Sequence, residues 1–382
     1  MSRDLILIAM SLFTWGIGEG LFFYFIPLSL QDWGADPIRI GVIYSGIGIA
    51  ITLAQIPAGA LSDKIGSRSI MWASWIIGVV STWVMALSNS LNVFVFGLWA
   101  YYLTAFVMAP MNGYITRARG KLRTERALTF VSGMYNLGTI AGPLSGGLVA
   151  EKYGLKTIYL ISAIIFIIST IIILNIRAQP VEEKPRKQDG SHLLRNPRFI
   201  SFLVFAFLSV AVLYLPQSLA SNFLQNELGL SLTEIGLLGA IGGLGNAMAT
   251  LILGSFKALT AIFLGQVMMI LYAYLLWKGN SLPLFMLGYF MLGGYRLIRS
   301  MFVGFTRPLV HASEIGLAYG ILETITGLAV ILAPGIAGIL FTQEPVMIFS
   351  VTFFTAIILI VISTIILPRI NRSVKPEISQ HL

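Results

Sequence analysis

The stretch AQPVEEKPRKQDGSHLLRNPR, residues Ala178–Arg198, is the only long polar segment between apolar runs in this chain of 382 residues. Its prolines and mixed charges suit a flexible or surface-lying linker. Six apolar runs precede it and six follow, at 5–30, 39–61, 69–88, 93–115, 127–150 and 156–176, then 199–223, 232–254, 259–277, 281–305, 314–341 and 346–367. A helix needs about 20 predominantly apolar residues to cross a bilayer core, and each run is about that long. Hydrophobic residues make up 57% of the chain and charged residues 11%, where a soluble domain carries roughly 25% charge. So apolar a chain needs lipid as its solvent. The expectation is an all-α membrane protein of twelve transmembrane helices in two pseudo-symmetric six-helix bundles. These are residues 1–177 and 199–382, joined by a cytoplasmic linker at 178–198.

An even number of spans puts both termini on one side of the membrane, and lysine and arginine say which side. With the N-terminus inside, 19 basic residues fall in inner segments and only four, Arg39, Lys152, Lys156 and Lys278, in outer loops. The expected location is therefore the plasma (inner) membrane, multi-pass, with both termini cytoplasmic. The net charge of +9 then reflects loops facing an anionic leaflet rather than nucleic acid. The first run, Leu5–Leu30, is too long for the apolar part of a cleavable signal and reads as a retained span.

Several chemistries are excluded. The chain has no cysteine, hence no disulfide, thiolate nucleophile or cysteine-based metal site. Its histidines, His192, His311 and His381, lie outside the apolar runs. No phosphate-binding Gly-x-x-x-x-Gly-Lys-Ser/Thr loop is present, so this chain alone is not an ATP-driven pump. No convergent nucleophile, metal set or acid–base pair appears in the spans, so no enzyme activity, cofactor or metal is expected.

The two halves repeat at an offset of about 190 residues. Thr116-Arg117 at the end of the fourth run matches Thr306-Arg307 at the end of the tenth. Gly142-Pro143-Leu144-Ser145-Gly146-Gly147 matches Ala333-Pro334-Gly335-Ile336-Ala337-Gly338. Weak internal symmetry of this kind marks transporters built from structural repeats.

Two motifs carry a family resemblance. Between the second and third runs stands Gly59-Ala60-Leu61-Ser62-Asp63-Lys64-Ile65-Gly66-Ser67-Arg68, which resembles the first conserved loop motif of the major facilitator superfamily. Independently, Gly59 lets helices approach closely, Gly66 permits a tight turn, and Asp63 can face a helix N-terminus or pair with Arg68. In the fifth run, Gly138-Thr139-Ile140-Ala141-Gly142-Pro143-Leu144-Ser145-Gly146-Gly147 resembles the motif commonest among that family's drug and solute:proton antiporters. Pro143 removes a helix hydrogen bond, and its flanking glycines leave room for a kink and close packing. The resemblance implies the major facilitator fold, with Gly59, Asp63, Lys64, Gly66, Arg68, Gly138, Gly142, Pro143, Gly146 and Gly147 as gating residues. It also implies that spans one, four, seven and ten line a central cavity. Two departures stand against it. The fourth run, Trp99 to Phe106, lacks the arginine usual in proton-coupled exporters, and the second copy of the loop motif, Gly254-Ser255-Phe256-Lys257-Ala258, has no acid.

Four ionisable side chains fall inside runs: Glu19, Arg296, Arg299 and Glu323. Each costs at least about 2.5–3.5 kcal/mol at the bilayer centre and is by default a functional candidate. Glu19 sits in Trp15-Gly16-Ile17-Gly18-Glu19-Gly20, where glycines let a neighbour or a substrate approach. No strand precedes them, so they are not a nucleotide loop. Arg296 and Arg299 are three apart, on one helix face. One reading makes these residues a substrate or coupling site centred on Glu19 and Arg296. The other makes them a neutral network, Arg299 with Glu323 and Arg296 with Glu19. Tyr24, Tyr101, Tyr102, Tyr214 and Gln217 are second-rank lining candidates.

The functional expectation is a secondary active transporter moving a small organic solute by alternating access, proton-coupled in the manner of an efflux antiporter. The alternatives are a facilitative or uptake carrier for an anionic solute and a lipid flippase on the same fold. The arginine pair suits a carboxylate, phosphate or sulfonate. Glu19 suits a coupling proton or a cationic or hydroxylated group. The expected partners are the small-molecule solute, protons and membrane lipids, with no nucleic acid and a monomeric state. The loop motif yields a first test. Asp63→Asn should insert normally but transport more slowly, measured as solute flux per molecule of membrane-inserted protein; wild-type flux would count against a gating role.

Overall fold

The computed structural model describes residues 1–179, 193–310 and 314–372; within its helices the side chains of 55–64, 109, 125, 194, 316 and 371–372 are not described. Most of the expected linker, 180–192, lies outside the described residues.

The described chain is helical throughout. Helix α1 (Arg3–Phe23) starts at Ser2, whose hydroxyl accepts the Leu5 N–H. It breaks at Tyr24, and α2 (Ile26–Asp32), with a proline in its first turn, completes the first apolar run. α3 (Pro37–Ile65) and α4 (Ser67–Ala86) follow. They are separated only by Gly66, whose φ of 81° is open to glycine and strained for any other residue. α5 (Leu91–Leu103) and α6 (Met108–Ala118) form one bent run across a 3₁₀ turn at Thr104–Val107. α7 (Thr124–Tyr153) and α8 (Leu155–Leu174) pivot on Gly154.

After the undescribed segment come α9 (Pro197–Tyr214), capped by the Asn196 side chain, and α10 (Ala220–Asn226), which together make the seventh run. α11 (Leu232–Met248) continues through a π-helical turn, and α12 (Ala258–Lys278) follows. α13 (Leu282–Met291) and α14 (Gly293–Thr306) meet at Leu292. α15 (Ile315–Gln343) and α16 (Met347–Arg372) complete the chain.

Each of the twelve apolar runs coincides with one helix or one broken helix. Among the described residues, nine helical stretches are by themselves long and apolar enough to cross a membrane, and α5–α6 counts as a tenth when the bent pair is taken together. α7 is long enough but is rich in glycine and polar residues. α13 and α14 are each shorter than a span. A twelve-span architecture fits these elements. Pro143 and Pro334, which correspond in the internal repeat, both lie inside continuous helices, α7 and α15.

By contacts the chain forms two units, Met1–Lys184 with Ser218–Gly243, and Pro185–Gln217 with Leu244–Leu382. The first is organised around α1 and α7, which approach through glycines. A Cβ added at Gly142 would lie 2.6 Å from both the Gly20 Cα and the Ile17 carbonyl oxygen. One at Gly20 would lie 2.9 Å from the Gly142 Cα, and one at Gly138 would lie 2.8 Å from the Ile17 nitrogen. Gly16 and Gly146 likewise leave no room for a side chain. The opposite side of α7 is as tight against α11: a Cβ at Gly147 would lie 2.6 Å from the Leu232 carbonyl oxygen and 3.2 Å from the Gly236 Cα. Glu151, at the end of α7, accepts the Leu232 N–H at 2.7 Å and so caps the start of α11. In lipid there is no hydrophobic drive between helices. Backbone contact across small residues is what holds such a seam.

The second unit uses the same device: a Cβ at Gly293 of α14 would collide with the Gly245 carbonyl oxygen. A Cβ at Gly265 of α12 would lie 2.6 Å from the Ile298 side chain and 3.0 Å from the Gly294 carbonyl oxygen of α14. Buried hydroxyls tie other helices: Ser363 donates to Gln266 Oε1 at 2.9 Å, joining α16 to α12.

The seam predicts intolerance of bulk on α7. Gly142→Leu or Gly146→Leu must push α1 and α7 apart; overpacking of this kind costs about 1–3 kcal/mol or more. Both variants should lose transport and melt earlier in detergent. Normal transport by both would show that this face is not close-packed.

Candidate functional site

In the first unit the site is built on the seam. Glu19 projects from α1 between Gly18 and Gly20, and the Tyr135 hydroxyl from α7 donates to its Oε2 at 2.7 Å. The reach is short because the backbones nearly touch, and Tyr135 lies one turn before Gly138 on the face of α7 that meets α1. Glu19 is half-buried. Around it stands an aromatic cluster. Trp15 stacks on Phe166 at 4.1 Å between centroids and on Tyr101 at 6.1 Å. Tyr101, which is 3% exposed, meets Tyr102 edge-on at 5.4 Å and Phe22 edge-on at 5.4 Å. Trp15 itself fills the space that Gly78 of α4 leaves open. Below, the Trp75 indole donates to Ser11 and Ser169 at 2.9 and 3.0 Å. A carboxylate is thus set among rings and hydroxyls: it can hold a proton, and it can receive a donor or a cation presented over aromatic faces.

In the second unit α14 is strongly two-faced. Leu297, Ile298, Phe302 and Phe305 are buried, whereas Arg296, Ser300 and Gly304 are exposed. The Arg299 guanidinium forms an ion pair with Glu323 of α15 at 2.7 Å and lies beside Tyr295. Tyr295 packs on Tyr214 of α9 at 5.8 Å between centroids. Three helices therefore meet at Arg299. Glu323 retains 46% side-chain exposure and Arg299 33%, so their ion pair lies on the open face of the unit.

The other expected residues fall as follows. Tyr24 lies at the α1–α2 break; its ring fills the space left by Gly239 of α11, and its carbonyl accepts the Ser221 hydroxyl at 2.6 Å. Gln217 is turned back onto its own chain and donates to the Leu213 carbonyl at 3.0 Å. The side chains of Gly59, Asp63 and Lys64 lie outside the described residues. Gly66 makes the α3–α4 turn, and Arg68 sits over the Trp72 ring at 4.5 Å. Near it, Arg117 donates to Ser67 at 2.9 Å and to Gln179 at 2.8 Å, tying α4, α6 and the chain beyond α8 together. Gly138, Gly142, Pro143, Gly146 and Gly147 form the α7 seams described above.

Two residues escaped the sequence reading, Tyr135 and Tyr295. Neither carries a motif. The available signals were position alone: Tyr135 precedes Gly138 by one turn, and Tyr295 adjoins Arg296.

Comparison with known proteins is consistent across sequence and shape. Residues 8–256 match the family profile described as Major Facilitator Superfamily. The uncharacterized MFS-type transporter MJ1560 of Methanocaldococcus jannaschii is 27% identical over 173 residues, 45% of each chain. Multidrug resistance protein MdtG of Escherichia coli K12 is 25% identical over 228 residues, 55% of this chain and 54% of that one. The chain thus spans about half the length of the curated relatives it matches. The solved nucleoside transporter NupG has the same fold, with a TM-score of 0.78 over 98% of this chain and 100% of that chain at 15% identity.

The α14–α15 pair yields a thermodynamic test. Arg299→Gln and Glu323→Gln each strand a charge, so each should destabilise the protein, and the double variant should lose less than the sum. A coupling of about 0.5–3 kcal/mol in a double-mutant cycle of thermal unfolding is expected for contacting groups. Additive losses would show that the ion pair contributes nothing.

Proposed function

Because the chain belongs to the Major Facilitator Superfamily, we propose that it is a secondary active transporter that moves a small organic solute by alternating access, with Glu19 carrying a coupled proton. The chain is a multi-pass membrane protein with transporter relatives. The inner-membrane orientation with both termini cytoplasmic rests on the distribution of lysine and arginine.

The observation that carries the coupling role is the 2.7 Å hydrogen bond from Tyr135 to Glu19 on the glycine seam. A carboxylate in a membrane span is costly and must be neutralised, either by a proton or by a partner. Tyr135 can serve both states. Its hydroxyl donates to the ionised carboxylate; when Glu19 is protonated, the acid can donate and the phenol oxygen accept. A proton can therefore be exchanged with only small side-chain movement. The aromatic cluster of Trp15, Tyr101 and Tyr102 keeps bulk water low around it. The names of the relatives, a multidrug resistance protein and, by fold, a nucleoside transporter, support an organic solute. The gating role falls to the α7 seam, where α1 and α11 both bear on one glycine-rich helix, and to the loop holding Gly66 and Arg68.

The test separates binding from coupling. In proteoliposomes, Glu19→Gln should still exchange solute across the membrane but should lose accumulation driven by a pH gradient. A Glu19→Gln protein that accumulates solute against its gradient with unchanged pH dependence would rule out the coupling role.

A further inference from the structure

The two arginines of α14 are not equivalent. Arg299 is committed: it is paired with Glu323 at 2.7 Å. Arg296, one turn away, is exposed and has no hydrogen-bond or ion-pair partner among the described residues. Two arginines against one glutamate leave this face with one uncompensated positive charge. An arginine facing lipid without a partner would be expelled from a span, so the face must border water or a ligand. The surrounding geometry agrees. Ser300 and Gly304 continue the exposed stripe below Arg296 at helical spacing. A Cβ placed at Gly304, or at Gly320 one turn before Glu323 on α15, would meet nothing within 4 Å. The stripe is polar, unpacked and positive.

From this we infer that Arg296 is the anion-binding residue of the transport path and that the solute, or one of its solutes, is a small organic molecule bearing a single carboxylate or phosphate group. The inference names the solute class of the transporter proposed above and rests on that reading. The guanidinium fork offers two parallel N–H donors, which match the two oxygens of a carboxylate or phosphate; a lysine would offer charge without the fork. Ser300, one turn along the same stripe, supplies a hydroxyl. Arg299 acts on the site through its neighbour, because Glu323 pairs with it and leaves the Arg296 fork open.

The test is an equilibrium measurement that needs no gradient. Full-length protein in maltoside micelles without added lipid is titrated with benzoate, with its neutral isostere benzamide, and with inorganic phosphate, followed by calorimetry and thermal shift. Wild type should bind benzoate or phosphate and ignore benzamide. Arg296→Gln should weaken anion binding at least tenfold, and Arg296→Lys should weaken it several-fold while keeping the charge. If Arg296→Gln does not fold, the lysine variant carries the comparison. A parallel titration in nanodiscs with and without phosphatidylglycerol separates a soluble anion from a lipid headgroup. Three results would overturn the inference: benzamide binding like benzoate, anion affinity unchanged in both Arg296 variants, or stabilisation by phosphatidylglycerol alone. Anion binding that persists while Glu19→Gln leaves accumulation unchanged would remove only the coupling role. Loss of pH-driven accumulation in Glu19→Gln without any Arg296-dependent anion binding would remove only this inference.

Discussion

The backbone contact between α1 and α7 is the constraint on which the first unit depends. Gly16 and Gly20 on one helix and Gly138, Gly142 and Gly146 on the other leave no side chain between them. In water, burial of apolar side chains would hold two helices together; in lipid that drive is absent, and close van der Waals approach takes its place. The closeness has a chemical consequence. A tyrosine on α7 can reach a carboxylate on α1 at 2.7 Å only because the helix axes lie so near. The same glycine-rich helix presents its other side to α11, where Gly147 meets Gly236 and Glu151 caps the first turn. α7 is therefore held on both sides by close contacts that leave no room for bulk.

The intramembrane charges are handled in three different ways. Glu19 is met by a tyrosine hydroxyl, which can serve either protonation state. Arg299 and Glu323 neutralise each other in an ion pair. Arg296 is left exposed on a polar stripe. An arrangement made only for stability would have paired every charge, since an unpaired one in a span is costly. The unequal treatment of Arg296 and Arg299 is the observation from which we infer a ligand role for Arg296.

Much of this was legible in the sequence, for identifiable reasons. The spans were, because each is an apolar run of about the length a bilayer core demands, and Gly66 marked the tight turn between the second and third. The α7 seam was, because glycines four apart on a helix around Pro143 have few other uses. The glycines of α1 were only half legible. Their spacing announced a close approach but not its partner, and the structure divides them: Gly16 and Gly20 face α7, whereas Gly18 accommodates Phe166 of α8. Arg299 with Glu323 was one of two readings open to the sequence, since charges in lipid must find partners. Tyr135 was not legible, because its role depends on the register of α7 against α1, and no spacing within one helix encodes the register between two. Tyr102 and Tyr24 read as lining residues from their places in the spans, yet Tyr24 is spent filling the gap at Gly239.

The central claim is that Glu19, held by Tyr135 on the glycine seam, takes up and releases a proton within the membrane. Infrared difference spectroscopy of the wild-type protein in nanodiscs, recorded while the pH is stepped downward, observes this without any transport assay. The account predicts that a protonated-carboxyl C=O band grows on acidification, shifts when Tyr135→Phe removes its hydrogen bond, and vanishes when Glu19 is replaced by glutamine. A spectrum with no pH-dependent carboxyl band, or one whose band is the same in the Glu19→Gln protein, would contradict it.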